Sequence, residues 1–93
     1  MPLTVEIPGP LRIHSCGSAT ITLGARCGSV RDVLSALEVD YPGVVDRVLT
    51  EQGEIREHVN LFVDNENTRY TEGLSTPVRD DATITILASI SGG

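Results

Sequence analysis

Hydrophobic and polar positions alternate from the first residues: Leu3, Val5 and Ile7 are interleaved with Thr4 and Glu6, the period of a strand with one buried face. Pro8-Gly9-Pro10 stops this run. A second alternating stretch, Ala19-Thr20-Ile21-Thr22-Leu23, follows a Ser15-Cys16-Gly17-Ser18 turn and reads as the partner of an opening hairpin. The period then changes. Val30, Val33, Leu34 and Leu37 fall at i, i+3, i+4 and i+7, so one stripe of a helix faces a core. Ser29 suits the N-cap, and Asp32 lies where a carboxylate favours the helix N-terminus.

Tyr41-Pro42 closes that helix, and Val44, Val45, Val48 and Leu49 predict one further short helical turn. Polar residues from Thr50 to Glu57 predict a loop. Val59, Leu61 and Val63 alternate with Asn60 and Phe62 as a third strand. Asp64-Asn65-Glu66-Asn67 predicts a reversal into a short strand at Thr68-Arg69-Tyr70, followed by a loop over Gly73-Leu74-Ser75-Thr76-Pro77. After a turn at Asp80-Asp81 comes the last strand, with Ile84 and Ile86 on one face and Thr83, Thr85 and Leu87 on the other. The order strand, strand, helix, strand, strand, strand predicts an α+β domain, a mixed sheet packed on one main helix. It is the order of a β-grasp, or ubiquitin-like, fold. Residues 1–88 are expected to form the domain and 89–93 a flexible tail.

At 93 residues the chain has room for one domain and little to spare for an internal active site. Aromatic residues are only 3%, so the core must be aliphatic. Seven basic against thirteen acidic residues give a net charge of −6, which argues against nucleic acid as a partner and for a basic protein surface. All seven basic residues are arginine, so the domain offers no lysine amine for isopeptide attachment to itself. The N-terminal segment has no basic region followed by an apolar stretch, and no long apolar run suggests a membrane span, so a cytoplasmic protein is expected. In that compartment Cys16 and Cys27 stay reduced.

The chain's chemistry is expected at Gly92-Gly93. Glycine has no Cβ, so a terminal pair can thread a slot too narrow for other residues and carry its carboxylate with it. Ser89 to Gly93 span at most about 17 Å when extended, enough to reach a buried site on a docked partner.

Three segments carry a family resemblance: Val59-Asn60-Leu61-Phe62-Val63-Asp64-Asn65-Glu66-Asn67-Thr68-Arg69-Tyr70, Gly73-Leu74-Ser75-Thr76-Pro77 and Thr85-Ile86-Leu87-Ala88-Ser89-Ile90-Ser91-Gly92-Gly93. Together with Val5-Glu6-Ile7-Pro8, Pro10-Leu11-Arg12 and Tyr41-Pro42-Gly43, they resemble the MoaD/ThiS-like sulfur carriers over essentially the whole chain. Asn-Glu-x-x-Arg-Tyr and Gly-Leu-x-Thr-Pro look closest to the CysO type. Family members usually have proline where Ala88 stands and Asp-Gly where Asp80-Asp81 stands.

The resemblance implies a protein co-substrate rather than an enzyme. A partner related to ubiquitin-activating enzymes would use ATP to adenylate the Gly93 carboxylate, and a sulfur donor would convert it to a thiocarboxylate. In the CysO type the acceptor is the aminoacrylate on a pyridoxal-phosphate cysteine synthase, and a metal-dependent peptidase then releases cysteine. A molybdopterin, thiamin or a secondary metabolite would suit the same tail. A protein modifier joined through Gly93 to target lysines is the alternative, because adenylation is common to both routes.

No bound cofactor is expected, since neither G-x-x-x-x-G-K-[ST] nor G-x-G-x-x-G is present and ATP must be used by the partner. Cys16, Cys27, His14 and His58 match no zinc-finger spacing, and Cys with His58 as base lacks a recognisable oxyanion site. Phe62 and Leu87 fall on the non-core faces of two strands that neighbour one another in a β-grasp order. They predict an exposed apolar patch at the base of the tail. Phe62, Leu87, Ser89, Ile90 and Ser91 are therefore the expected partner-binding residues, with Gly92 and Gly93 as the reacting end.

Overall fold

The computed structural model describes residues 3–24 and 27–88. The alternating runs form strands β1 (Leu3–Glu6), β2 (Thr20–Leu23), β3 (Val59–Val63) and β5 (Thr83–Ala88), with a two-residue β4 (Glu66–Asn67). They make one five-stranded sheet in the order β2-β1-β5-β3-β4. β1 and β5 are parallel at its centre, and the other pairs are antiparallel. A mixed sheet with helices on one face is the β-grasp arrangement expected from the element order.

Helix α1 (Val30–Asp40) begins where its capping residues place it: the Asp32 amide donates to Ser29 Oγ at 3.4 Å and the Gly28 amide to Asp32 Oδ2 at 3.1 Å. Tyr41 ends it, its amide bonding Leu37 O at 2.7 Å, and Pro42 opens α2 (Pro42–Val48). Val30, Val33, Leu34 and Leu37 from α1 and Val44, Val45 and Val48 from α2 are buried against Leu3, Val5, Ile21, Val59, Leu61, Ile84 and Ile86 from the sheet. Each such side chain contributes about 1.5–3 kcal/mol on burial, and the core they make is aliphatic.

Three segments take a conformation that the sequence pattern did not predict. Gly9–Ser15, between the expected stop at Pro8-Gly9-Pro10 and the expected turn at Ser15–Ser18, is a 3-10 helix, with Pro10 in its first turn and Cys16 closing it at φ 57°. Thr68–Tyr70, expected as a strand, is also 3-10: Asn67 Oδ1 accepts from the Arg69 amide at 2.9 Å, and the Arg69 guanidinium reaches the carbonyls of Glu57 and Val59. That side-chain cap offers the backbone an alternative to a ladder, so the short strand falls instead on Glu66–Asn67. Gly73–Ser75 is a third 3-10 turn inside the expected loop.

Candidate functional site

β5 is the element that carries the chain to its end, and its two edges are not equivalent. Pairing with β1 stops at Glu6–Thr85, whereas pairing with β3 continues to Val59–Ala88. At its C-terminal end β5 is therefore paired with β3 alone. Ser89, Ile90, Ser91, Gly92 and Gly93, expected to form the tail and the reacting end, lie outside the described residues.

On the sheet face away from the helices, the register sets Phe62 opposite Thr85 and Asn60 opposite Leu87. Phe62 and Leu87 are consequently diagonal neighbours on one face. Leu87 is 49% exposed. Phe62 is half-buried and stands outside the core cluster, flanked by Asn67 of β4 as well as Thr85. Around them the face is polar and knitted together: Thr85 Oγ1 donates to Glu6 Oε1 at 2.9 Å and Asn67 Nδ2 to Asn60 Oδ1 at 3.2 Å. Two apolar side chains thus stand together in a polar field near the end of β5.

The four residues weighed as metal ligands do not come together as a set. Cys16 is exposed and Cys27 buried, and His14 Nε2 accepts from Arg47 Nε at 3.3 Å. Among the described residues no three His, Cys, Asp or Glu side chains gather as a metal cluster would. Burial pushes the Cys27 thiol up, and the Asp32 and Asp80 carboxylates push it in the same direction. A thiol held protonated is a poor nucleophile.

The Cys27 shift has a measurable consequence. Its folded pKa lies above the unfolded one, so the thiol's contribution to stability is complete below about pH 8.5 and is lost as pH rises towards the folded value. Denaturant titrations carried above about pH 8.5 should show stability falling as pH rises. Cys27→Ala should flatten that slope. An unchanged slope would place the loss elsewhere.

Residues 5–93 match the ThiS family. The chain belongs to it. Sulfur carrier protein CysO of Mycobacterium tuberculosis is 35% identical over 100 aligned positions that cover all of both chains. Small archaeal modifier protein 3 of Haloferax volcanii is 31% identical over 65 positions, 70% of each chain. Among solved structures, the crystal structure of the Amycolatopsis orientalis BexX/CysO complex superposes with a TM-score of 0.87 at 31% identity, covering 98% of this chain and 99% of that one. The MoaD/ThiS-like, CysO-type resemblance and the β-grasp fold both stand. The first of these relatives is a sulfur carrier protein and the second a modifier protein.

No helix among the described residues is long and apolar enough to cross a membrane. The sequence reading singled out Phe62 and Leu87 but missed the cationic groove on the other side of the tail's root. Its residues come from four separate segments, brought together by the packing of the Gly9–Ser15 helix against α2 and by the Arg56 bonds to the Asp46 carbonyl.

Proposed function

We propose that the chain is a sulfur carrier whose Gly93 carboxylate is adenylated by a partner enzyme and converted to a thiocarboxylate. The observation that carries this reading is the full-length likeness to CysO, combined with a sequence ending in Gly92-Gly93 just beyond a central strand. A carboxylate is a poor acyl electrophile until one oxygen becomes part of a leaving group. Attack of the carboxylate on the α-phosphate of ATP releases pyrophosphate and leaves an acyl adenylate, and hydrosulfide then displaces AMP. The chain contributes a rigid docking domain and a slender end, while ATP and the catalytic groups belong to the partner.

Cysteine is the favoured product because CysO proteins are among the relatives matched over all or nearly all of the chain. The thiocarboxylate sulfur would add to an aminoacrylate on a pyridoxal-phosphate synthase, giving a thioester of cysteine. The amine of that cysteine is held beside the thioester carbonyl, a case of high effective molarity, and an S-to-N shift gives the more stable amide. A metal-dependent peptidase would release cysteine and restore Gly93.

Intact-mass measurement tests both steps. Incubation with ATP, sulfide and the host's adenylating enzyme should replace one oxygen of the chain by sulfur. Addition of the host's cysteine synthase with O-phosphoserine or O-acetylserine should then add one cysteine residue. An unaltered mass in the first step removes the carrier reading, and no cysteine adduct in the second moves the chain to another sulfur pathway. The likeness to a small archaeal modifier protein supports a second reading, conjugation through Gly93 to lysines of other proteins. Larger Gly93-linked conjugates from the native host would establish it.

A further inference from the structure

On the helical side of the sheet, Ala88 lines an open groove of about 440 Å3 with Ile13, His14, Arg47, Arg56 and His58. Both histidines of the chain and two of its seven arginines thus converge at the root of the tail, in a protein of net charge −6. The arginines are held by a ring nitrogen and a backbone carbonyl. Arg47 Nε donates to His14 Nε2 at 3.3 Å, and Arg56 Nε and Nη2 donate to the Asp46 carbonyl at 3.2 and 3.0 Å. Among the described residues the ion pair present is Arg79–Asp81 at 4.0 Å, so neither Arg47 nor Arg56 has a carboxylate within that distance. Both guanidiniums are therefore held without a direct ion pair, while Asp46 and Glu51 line the adjoining cavity that His14, Arg47 and Arg56 share. Ile13, beside them, is 82% exposed.

Chain length puts this groove within range of a docked partner. A partner that takes Gly93 into its active site must come within the span of the five residues after Ala88, about 17 Å. A standard interface covers roughly 800 Å2 of each partner, a patch about 16 Å in radius, so one centred on the helical side of Ala88 covers the groove. Fixed positive charge in an interface of an otherwise acidic protein selects for negative charge on the other side. We propose that this groove docks an acidic surface of the adenylating enzyme, with carboxylates of that enzyme meeting Arg47 and Arg56 and an apolar side chain covering Ile13. The proposal rests on the sulfur-carrier reading for the choice of partner. It adds that recognition is electrostatic on the helical side of the tail's root, opposite the Phe62 and Leu87 face.

The test measures binding of the purified adenylating enzyme from the same organism to the full chain at about 0.1 M and about 1 M salt, where charges are screened beyond about 10 Å and 3 Å. The variants are Arg47→Glu, Arg47→Glu with Arg56→Glu, and Ile13→Asp. Arg79→Glu, at the already paired arginine, is the control. Expected is a loss of affinity of at least tenfold for the double variant at the lower salt, a smaller loss for Arg47→Glu, and a wild-type salt dependence that both variants flatten while Arg79→Glu keeps it.

Thermal unfolding shows whether each variant is folded. Should the double variant unfold through loss of the Arg56 bonds to the Asp46 carbonyl, Arg47→Glu alone decides. The same series in a chain lacking Gly92-Gly93 reads docking without chemistry. Wild-type affinity and salt dependence in folded Arg47→Glu and double variants overturn the groove proposal while leaving adenylation standing. Salt-sensitive, Arg47-dependent binding without thiocarboxylate formation sustains the groove and removes the carrier reading instead. Absence of any binding by the wild-type chain overturns the groove proposal as well.

Discussion

Deletion of Gly93, or its replacement by a bulky residue such as Phe, should abolish thiocarboxylate formation, by at least a hundredfold in rate, and leave thermal unfolding of the domain unchanged. The two halves of this expectation have separate physical origins. On the carrier reading the Gly93 carboxylate enters the partner's site through a slot that admits backbone alone, and a Cβ with a ring beyond it would not fit there. Displacement by even 1 Å from the attacking geometry costs about a hundredfold in rate. Stability, by contrast, comes from the aliphatic side chains between α1, α2 and the sheet, which end at Ile86 on the last strand. Intact mass after incubation with ATP, sulfide and the adenylating enzyme reads the first half, and calorimetry reads the second. A wild-type yield of thiocarboxylate from the deletion variant would remove Gly93 from the mechanism.

The elements that set up this end of the molecule were legible because their burial is periodic. Leu3, Val5 and Ile7, then Ile21, then Val59 and Leu61, then Ile84 and Ile86 alternate with polar residues, and each is buried. Ser29, Asp32 and Tyr41-Pro42 bound the main helix because capping and proline geometry act within a few residues. The 3-10 segments were not legible. Gly9–Ser15 holds itself through local bonds such as Ser15 Oγ to the carbonyls of Arg12 and Ser18, and no hydrophobic period marks it. Thr68–Tyr70 has a strand-like composition but is decided by the Asn67 cap and by Arg69 reaching back to β3. The cationic groove was hidden for a related reason. Arg47 is followed by a loop that returns Arg56 to the Asp46 carbonyl, and nothing in the linear order of charges announces that return. Gly43 completes the arrangement, since a Cβ there would lie 2.7 Å from His14 Nδ1.

Phe62→Asp should weaken binding to the adenylating or the sulfur-accepting enzyme by about 2 kcal/mol or more, roughly thirtyfold, while costing the domain less than that in stability. The case rests on which side of the sheet the ring occupies. Val59 and Leu61, its neighbours on β3, are 1% exposed in the core, so Phe62 is turned to the face that no helix covers. A half-buried ring on a polar face loses only part of its transfer free energy on truncation, whereas a core phenylalanine would lose about 3–5 kcal/mol. In a complex the same ring and the exposed Leu87 are desolvated together, and an aspartate there would be buried without a partner. Leu87→Asp provides the second variant, because a side chain 49% exposed contributes little to the fold and its effect on binding is correspondingly clean. Dissociation constants measured beside thermal unfolding curves separate the two contributions. A Phe62→Asp domain that unfolds at ambient temperature would place Phe62 in the core, and a folded Leu87→Asp variant that binds as tightly as the wild type would show that the partner does not use this face.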